Sequence, residues 1–202
     1  MIGVGEEKPV IDGKGNEYTV LIEADNCTVK QFVIKNGKIG VKLTDVYHIK
    51  IENNTIRYAS IGILLLNSSQ SLIRNNTLNE NGMGINLQGF SNNNAIIGNI
   101  IYNNKGTGIG IYGIFSEKTH GITISYNNIT KNFDGIEIFV SSDGMISFNH
   151  VYKNKQYGIS IDTCENMSIL NNSIHDHTYG GLQLMDCSYI ALLREMKYMK
   201  IL

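Results

Sequence analysis

The sequence predicts an all-β solenoid, a single chain wound as a right-handed parallel β-helix of about seven to eight coils. Two observations carry that expectation. The first is a repeat of Gly-Ile or a near relative at Gly40-Val41, Gly62-Ile63, Gly84-Ile85, Gly108-Ile109, Gly135-Ile136, Gly158-Ile159 and Gly181-Leu182. Subtracting neighbouring numbers gives spacings of 22, 22, 24, 27, 23 and 23 residues. A period of this size marks an array in which each unit buries its apolar face only against its neighbours. The second is a column of asparagines in the same phase: Asn54, Asn76, Asn99, Asn127, Asn149 and Asn172.

Each element of the unit follows from its residues. Gly-Ile-x-Ile alternates with period two, which is a strand pattern. A polar turn follows. Ile51, Ile73, Ile96, Ile124, Ile146 and Ile169 then precede the asparagine column, and Ile56, Leu78, Ile101, Ile129, Val151 and Ile174 follow it. Another polar column closes the unit at Asn81, Asn104, Asn132 and Asn154, with Ala59 and His177 in the outer coils. No unit has room for a helix of ordinary length as well as its strands. The only proline, Pro9, lies outside the repeats, so no ladder donor is lost to proline. Parallel coils about 4.8 Å apart give a rod on the order of 35 Å long. Parallel crossovers set the right hand. Asparagine tolerates left-handed backbone, and stacked amides can bond one another along the rod. Glycine is expected to make the sharper bends.

The repeat domain is assigned to residues 1–190, and 191–202 to a C-terminal cap or a truncated end. Beyond Ser188 there is neither Gly nor Asn, and Leu192, Met196 and Met199 fall at helical spacing, which suggests a short helical cap. The beginning reads as part of a longer parent protein with further domains, because nothing in the first dozen residues would cover the first coil's edge.

Lys plus Arg number 17 and Asp plus Glu 18, so the chain is near neutral, with no basic stripe for nucleic acid. The longest apolar run, Ile61 to Leu66, is far short of the ~20 residues that span a bilayer, so no membrane insertion is expected. The first residues lack the basic start and apolar stretch of a signal peptide. Abundant Asn, Ser, Thr and Tyr suit carbohydrate more than phosphate.

Val10-Ile11-Asp12-Gly13, the segment Val20 to Asn36 and the later Gly-Ile-x-Leu…Ile-x-x-Asn-x-Ile-x-x-Asn coils resemble NosD-type β-helix proteins. These belong to the pectate-lyase-like, carbohydrate-binding and sugar-hydrolase group. The resemblance runs from about residue 10 to 190 and implies the fold. It also implies a periplasmic, extracellular or cell-surface location for the parent protein. For function it implies a part in copper-site maturation of nitrous oxide reductase, or a surface role of unassigned kind. Repeats of this sort encode a scaffold rather than a site.

Candidate chemistry must therefore come from outward positions. On Gly-Ile strands these include Tyr112, Glu137, Phe139 and Asp162. Tyr112 and Phe139 fall in register and could receive a sugar ring, with Asp162 beside them, as a carbohydrate-binding set. Glu137, Asp162 and Asp134 form the acidic set that a polysaccharide lyase or glycoside hydrolase would use. The Asp-Asp, Gly-His-Gly and Arg-x-Lys constellations of polygalacturonases and the Asp-Pro-His motif of alginate epimerases are missing. Metal candidates are Cys164, Cys187, Met185 and His175, a soft set for copper. The alternative reading of the two cysteines is a stacked thiol pair that packs as small hydrophobes, or a disulfide. Calcium would serve only a pectate-type lyase. Matches to the glycosylation pattern occur at Asn26, Asn53, Asn67, Asn75, Asn128, Asn166 and Asn171, as asparagine ladders followed by Ser or Thr produce by chance. The leading expectation is a non-catalytic module without a cofactor that binds carbohydrate or another cell-surface polymer, or serves as scaffold. The alternatives are a polysaccharide-cleaving enzyme and a NosD-like copper-handling protein.

Overall fold

The computed structural model describes residues 1–4, 7–116 and 118–193. Three parallel sheets of eight strands each wrap a common core. The first sheet holds the Gly-Ile strands, Tyr18–Ile22, Ile39–Thr44, Ile61–Leu66, Met83–Gln88, Ile109–Tyr112, Ile136–Phe139, Tyr157–Asp162 and Gly180–Met185. The second sheet runs from Thr28–Lys30 to Ala191–Leu193, and the third from Val10–Asp12 to Ser173–His175. Every coil thus contributes one strand to each sheet, and no helix occurs among the described residues.

Register is exact to the residue. Ile63 pairs with Ile85, Ile85 with Ile109, Ile109 with Ile136 and Ile136 with Ile159. All five are fully buried. Equivalent columns pass through Ile51, Ile73 and Ile96 in the second sheet and through Ile56, Leu78 and Ile101 in the third. Each buried isoleucine stabilises the rod by roughly 1.5–3 kcal/mol.

The asparagine columns are hydrogen-bonded ladders. Asn76 Nδ2 donates to Ile51 O at 2.8 Å and to Asn99 Oδ1 at 3.1 Å, while its backbone N–H donates to the same Oδ1 at 2.9 Å. Asn99, Asn127 and Asn149 repeat the pattern up the rod. The second column runs from Asn81 through Asn104 and Asn132 to Asn154. Turn groups that would otherwise be buried unpaired are satisfied in this way.

Two expectations about turns are corrected. The ladder asparagines do not adopt left-handed backbone; their predecessors do, among them Asn53, Asn75, Tyr126, Phe148 and Asn171 before the first column and Glu80, Asn103, Lys131 and Lys153 before the second. The Gly-Ile glycines do not bend the chain either. They permit close approach: a Cβ on Gly108 would lie 2.7 Å from Gly135 O and 2.9 Å from Ile129 Cγ2.

The C-terminal expectation also changes. Ala191–Leu193 is a strand, with Leu192 paired to Ile169, because a further rung satisfies the edge of the second sheet. Met196, Met199 and the remainder of the expected cap lie outside the described residues. Among the described residues no helix is long and apolar enough to cross a membrane.

Candidate functional site

The repeat is longest between Gly108 and Gly135, at 27 residues. The added length leaves the first sheet after Tyr112, carries Ile114 and Phe115 outward, and returns as Thr119–His120, which pairs with Ser141–Ser142 in a small fourth sheet. Phe115 is 75 % exposed, yet its ring meets Phe139 edge to face with centroids 5.5 Å apart. Insertions on a rigid scaffold are where binding groups concentrate.

Beside this pair the outer face of the first sheet is polar. Glu137 is flanked in register by Gly110 and Ser160. Because Gly110 has no side chain, the Tyr112 ring folds back over it; a Cβ there would meet Tyr112 Cε2 at 2.6 Å. Tyr112 Oη thereby donates to Glu137 Oε2 at 2.6 Å, and Thr107 Oγ1 donates to the same oxygen at 3.1 Å. Burial, then the hydrogen bond and charge of Glu137, push the Tyr112 phenol well above its ordinary pKa, so it remains a donor. Asp134 is almost covered and its Oδ1 accepts from Tyr157 N at 2.9 Å. Burial raises the Asp134 carboxyl above its usual range, the backbone bond opposes this, and the Glu137 charge adds to the rise. On the neighbouring coil Asn86, the Cα partner of Gly110, is buried with Oδ1 unpaired.

The structure therefore brings Tyr112, Glu137 and Asp134 together and adds Thr107, Asn86 and Phe115, which the sequence reading did not single out. Tyr112 and Phe139 are Cα partners, but the phenol turns toward Glu137, so the ring partner of Phe139 is Phe115. Asp162, the Cα partner of Phe139 on the other side, is half-buried and accepts a hydrogen bond from Thr163 Oγ1 rather than joining Glu137. Immediately after Phe139, buried Val140 holds φ at 56°. A β-branched residue there stores strain on the order of 1–3 kcal/mol, as is common beside functional sites.

Of the soft set, Cys164, Cys187 and Met185 lie on one side of the rod and His175 on another sheet. Cys164 Sγ donates to Asp162 O at 3.1 Å and Cys187 Sγ to Met185 O at 3.0 Å, continuing a ladder that Ser68 and Ser91 occupy in earlier coils. Both thiols are free, and burial pushes that of Cys164 up to about 12. It stays protonated at neutral pH. His175 stands on a different sheet, near His150. Among the described residues no three His, Cys, Asp or Glu side chains form a metal-binding group.

The family model described as periplasmic copper-binding protein (NosD) matches residues 5–180. A mutant of the periplasmic alginate epimerase AlgG superposes with a TM-score of 0.71 at 17 % identity, over 82 % of this chain and 50 % of that one. The Azotobacter vinelandii mannuronan C-5 epimerase AlgE4 A-module gives 0.71 at 16 % identity, over 79 % and 46 %. The Dettilon tailspike protein gives 0.69 at 14 % identity, over 93 % and 50 %. The chain thus spans about half the length of these solved structures. At such identities the likeness is one of fold. No curated protein matches the chain.

Proposed function

The chain belongs to the NosD family, and from that premise we propose that it is a glycan-binding β-helix module of an exported periplasmic or cell-surface protein, which holds its ligand without cleaving it. The observation that carries this reading is the pair of exposed Phe115 and half-buried Phe139 standing beside Glu137, Tyr112, Thr107 and Asp162 on one face of the first sheet. A sugar presents an apolar CH face and a rim of hydroxyls. The phenyl rings suit the first and the carboxylate oxygens the second. Polysaccharide is also what the two epimerase neighbours act on by name. This face carries Asp134, Glu137 and Asp162, and its nearby cation, Lys118, is paired to Glu165 at 3.0 Å. Repulsion therefore favours a neutral glycan over a polyuronate.

Calorimetric titration with neutral and uronate polysaccharides tests the proposal. Binding of a neutral glycan, weakened tenfold or more by Phe115→Ala or Phe139→Ala, is the expected result; tenfold corresponds to about 1.4 kcal/mol. Retention of no polysaccharide, or binding by both variants as tight as by the wild type, would refute it. A second reading, a hydrolase, is favoured by the raised pKa of Asp134 beside Glu137, which is the pattern of an acid poised near a second carboxylate. It requires new reducing ends to appear during the same titrations and to vanish in Asp134→Asn and Glu137→Gln.

A further inference from the structure

Lysines that lie scattered along the chain are gathered by the coiling onto one border of the first sheet, and acidic residues line the other border. Tyr18–Ile22 is entered past Lys14 and left at Glu23 and Asp25. Ile39–Thr44 runs between Lys38 and Asp45, and Ile136–Phe139 between Lys131 and Asp143. Tyr157–Asp162 follows Lys153 and Lys155, ends on Asp162 and leads to Glu165. These lysines are exposed, and among the described residues none of them is in an ion pair. Lys105 adds to the basic border and Asp186 to the acidic one. Glu17, Glu80 and Asp176 stand on the basic border, and Lys118 on the acidic one, paired to Glu165 at 3.0 Å. They reduce the polarity without reversing it. Strands of four to six residues are ~13–20 Å long, beyond the Debye length of about 8 Å at physiological salt. The two borders therefore cannot neutralise each other within one molecule.

We infer that a second copy of this chain docks side by side with the first, acidic border against basic border and the two rods parallel. Charge complementarity chooses this occupant. Lysine and acid stand at the two ends of the same strand, hence at the same level of the rod. A sideways shift without sliding along the axis sets Lys38 opposite Asp45, Lys131 opposite Asp143, and Lys153 and Lys155 opposite Asp162 and Glu165. The intervening strands Ile61–Leu66 and Met83–Gln88 bring neither a lysine to the one border nor an acid to the other. An acidic polymer would answer the lysines but would leave the acidic border, and this matching of levels, without a reason.

The shape of the borders agrees. Exposed rings stand among the charges, Tyr58 and Phe133 on the basic border and Tyr47 and Phe90 on the acidic one, and aromatic area of this kind is enriched at interfaces. Between Lys38 and Lys105 the basic border is recessed in a groove of about 580 Å³ lined by Gly37, Ala59 and Gly82, which leaves room for the neighbour's outward insert after Tyr112. The contact joins two different patches, so it repeats into an open row in which every first sheet faces the same way. On the glycan reading above, such a row presents its binding faces together and gains avidity.

Sedimentation velocity of the full chain over a range of concentrations tests the docking, in ~0.01 M and ~1 M salt, where the Debye length is about 30 Å and about 3 Å. Assemblies that grow with concentration at low salt and dissolve to monomer at high salt are expected. Lys38→Glu with Lys131→Glu makes both borders acidic at these levels, and Asp45→Lys with Asp143→Lys makes both basic. Each variant alone should self-associate at least tenfold more weakly than the wild type, and an equimolar mixture of the two should recover the assemblies. Far-UV circular dichroism checks that the β-helix persists. A wild type that stays monomeric at low salt overturns the inference, and added polyglutamate binding to that monomer would assign the lysines to an acidic polymer instead. Assemblies indifferent to salt overturn it too, as do folded variants that assemble like the wild type or fail to recover on mixing. No glycan enters these measurements, so their failure leaves the glycan reading standing.

Discussion

His177 shows how one residue can fill a structural column with different chemistry. Where earlier coils have asparagine, its Nδ1 accepts from Asn154 N at 3.2 Å and its Nε2–H donates to Val151 O at 3.1 Å. Asn132 makes the same two kinds of bond, accepting from Asn104 N and donating to Ile101 O. Burial holds the pKa of His177 below its ordinary value, although its backbone partners oppose this. The folded state thus prefers the neutral ring. The stability this confers is complete above the unfolded imidazole's value of about 6.5 and is lost as pH falls through the lower folded value. The urea midpoint of the wild type should therefore fall further between pH 7.5 and pH 5 than that of His177→Asn, which restores the amide ladder without a titrating group. Equal falls in the two proteins would contradict this account. That His177 shares the asparagine phase was legible in the sequence. Which ring nitrogen accepts was not, since that depends on the coil below.

At the scale of the element, the ladders matter more than any single turn. Asn99 accepts from the backbone and side chain of Asn76 and donates to Ile73 O and Asn127 Oδ1. Asn99→Ala would leave several buried groups without partners. The expected cost is about 2–4 kcal/mol, measured by urea unfolding. A loss below about 1 kcal/mol would mean that water replaces the amide. Period and phase revealed these columns, because the same demand recurs in every coil. The candidate site was only partly legible for the opposite reason. Glu137 and Tyr112 could be placed on one face from strand alternation, with Asp134 near them in the chain. Phe115 could not, because it belongs to the insert after Tyr112, which follows no repeat. The 27-residue interval was the signal that could have found it. Nor could alternation show that the empty space over Gly110 lets Tyr112 reach Glu137.

For the whole molecule, contacts run almost entirely between adjacent coils, so stability should be close to a sum over coils and their interfaces. Excising residues 61–82 joins Ser60 to Met83, which already occupies the register position of Ile61. The shortened chain should fold as a β-helix with one coil fewer, and its urea m-value should fall by about one-eighth, since m follows the surface exposed on unfolding. An unfolded product, or an unchanged m-value, would show that the coils are not interchangeable.

The amino-acid sequence by itself determined the coil length, a unit of two or three short strands, the inward aliphatic columns and the asparagine ladders; the structure settled on three strands per coil. Each of these is set by a local pattern that repeats, and repetition makes a pattern readable without coordinates. The tertiary structure decided which outward side chains meet. It turned Tyr112 away from Phe139 and onto Glu137, gave Phe139 a partner from the insert, continued a serine ladder through Cys164 and Cys187, and brought His150 diagonally against His175. Those meetings depend on side-chain direction across coils more than 20 residues apart in the chain, which no period in the sequence encodes.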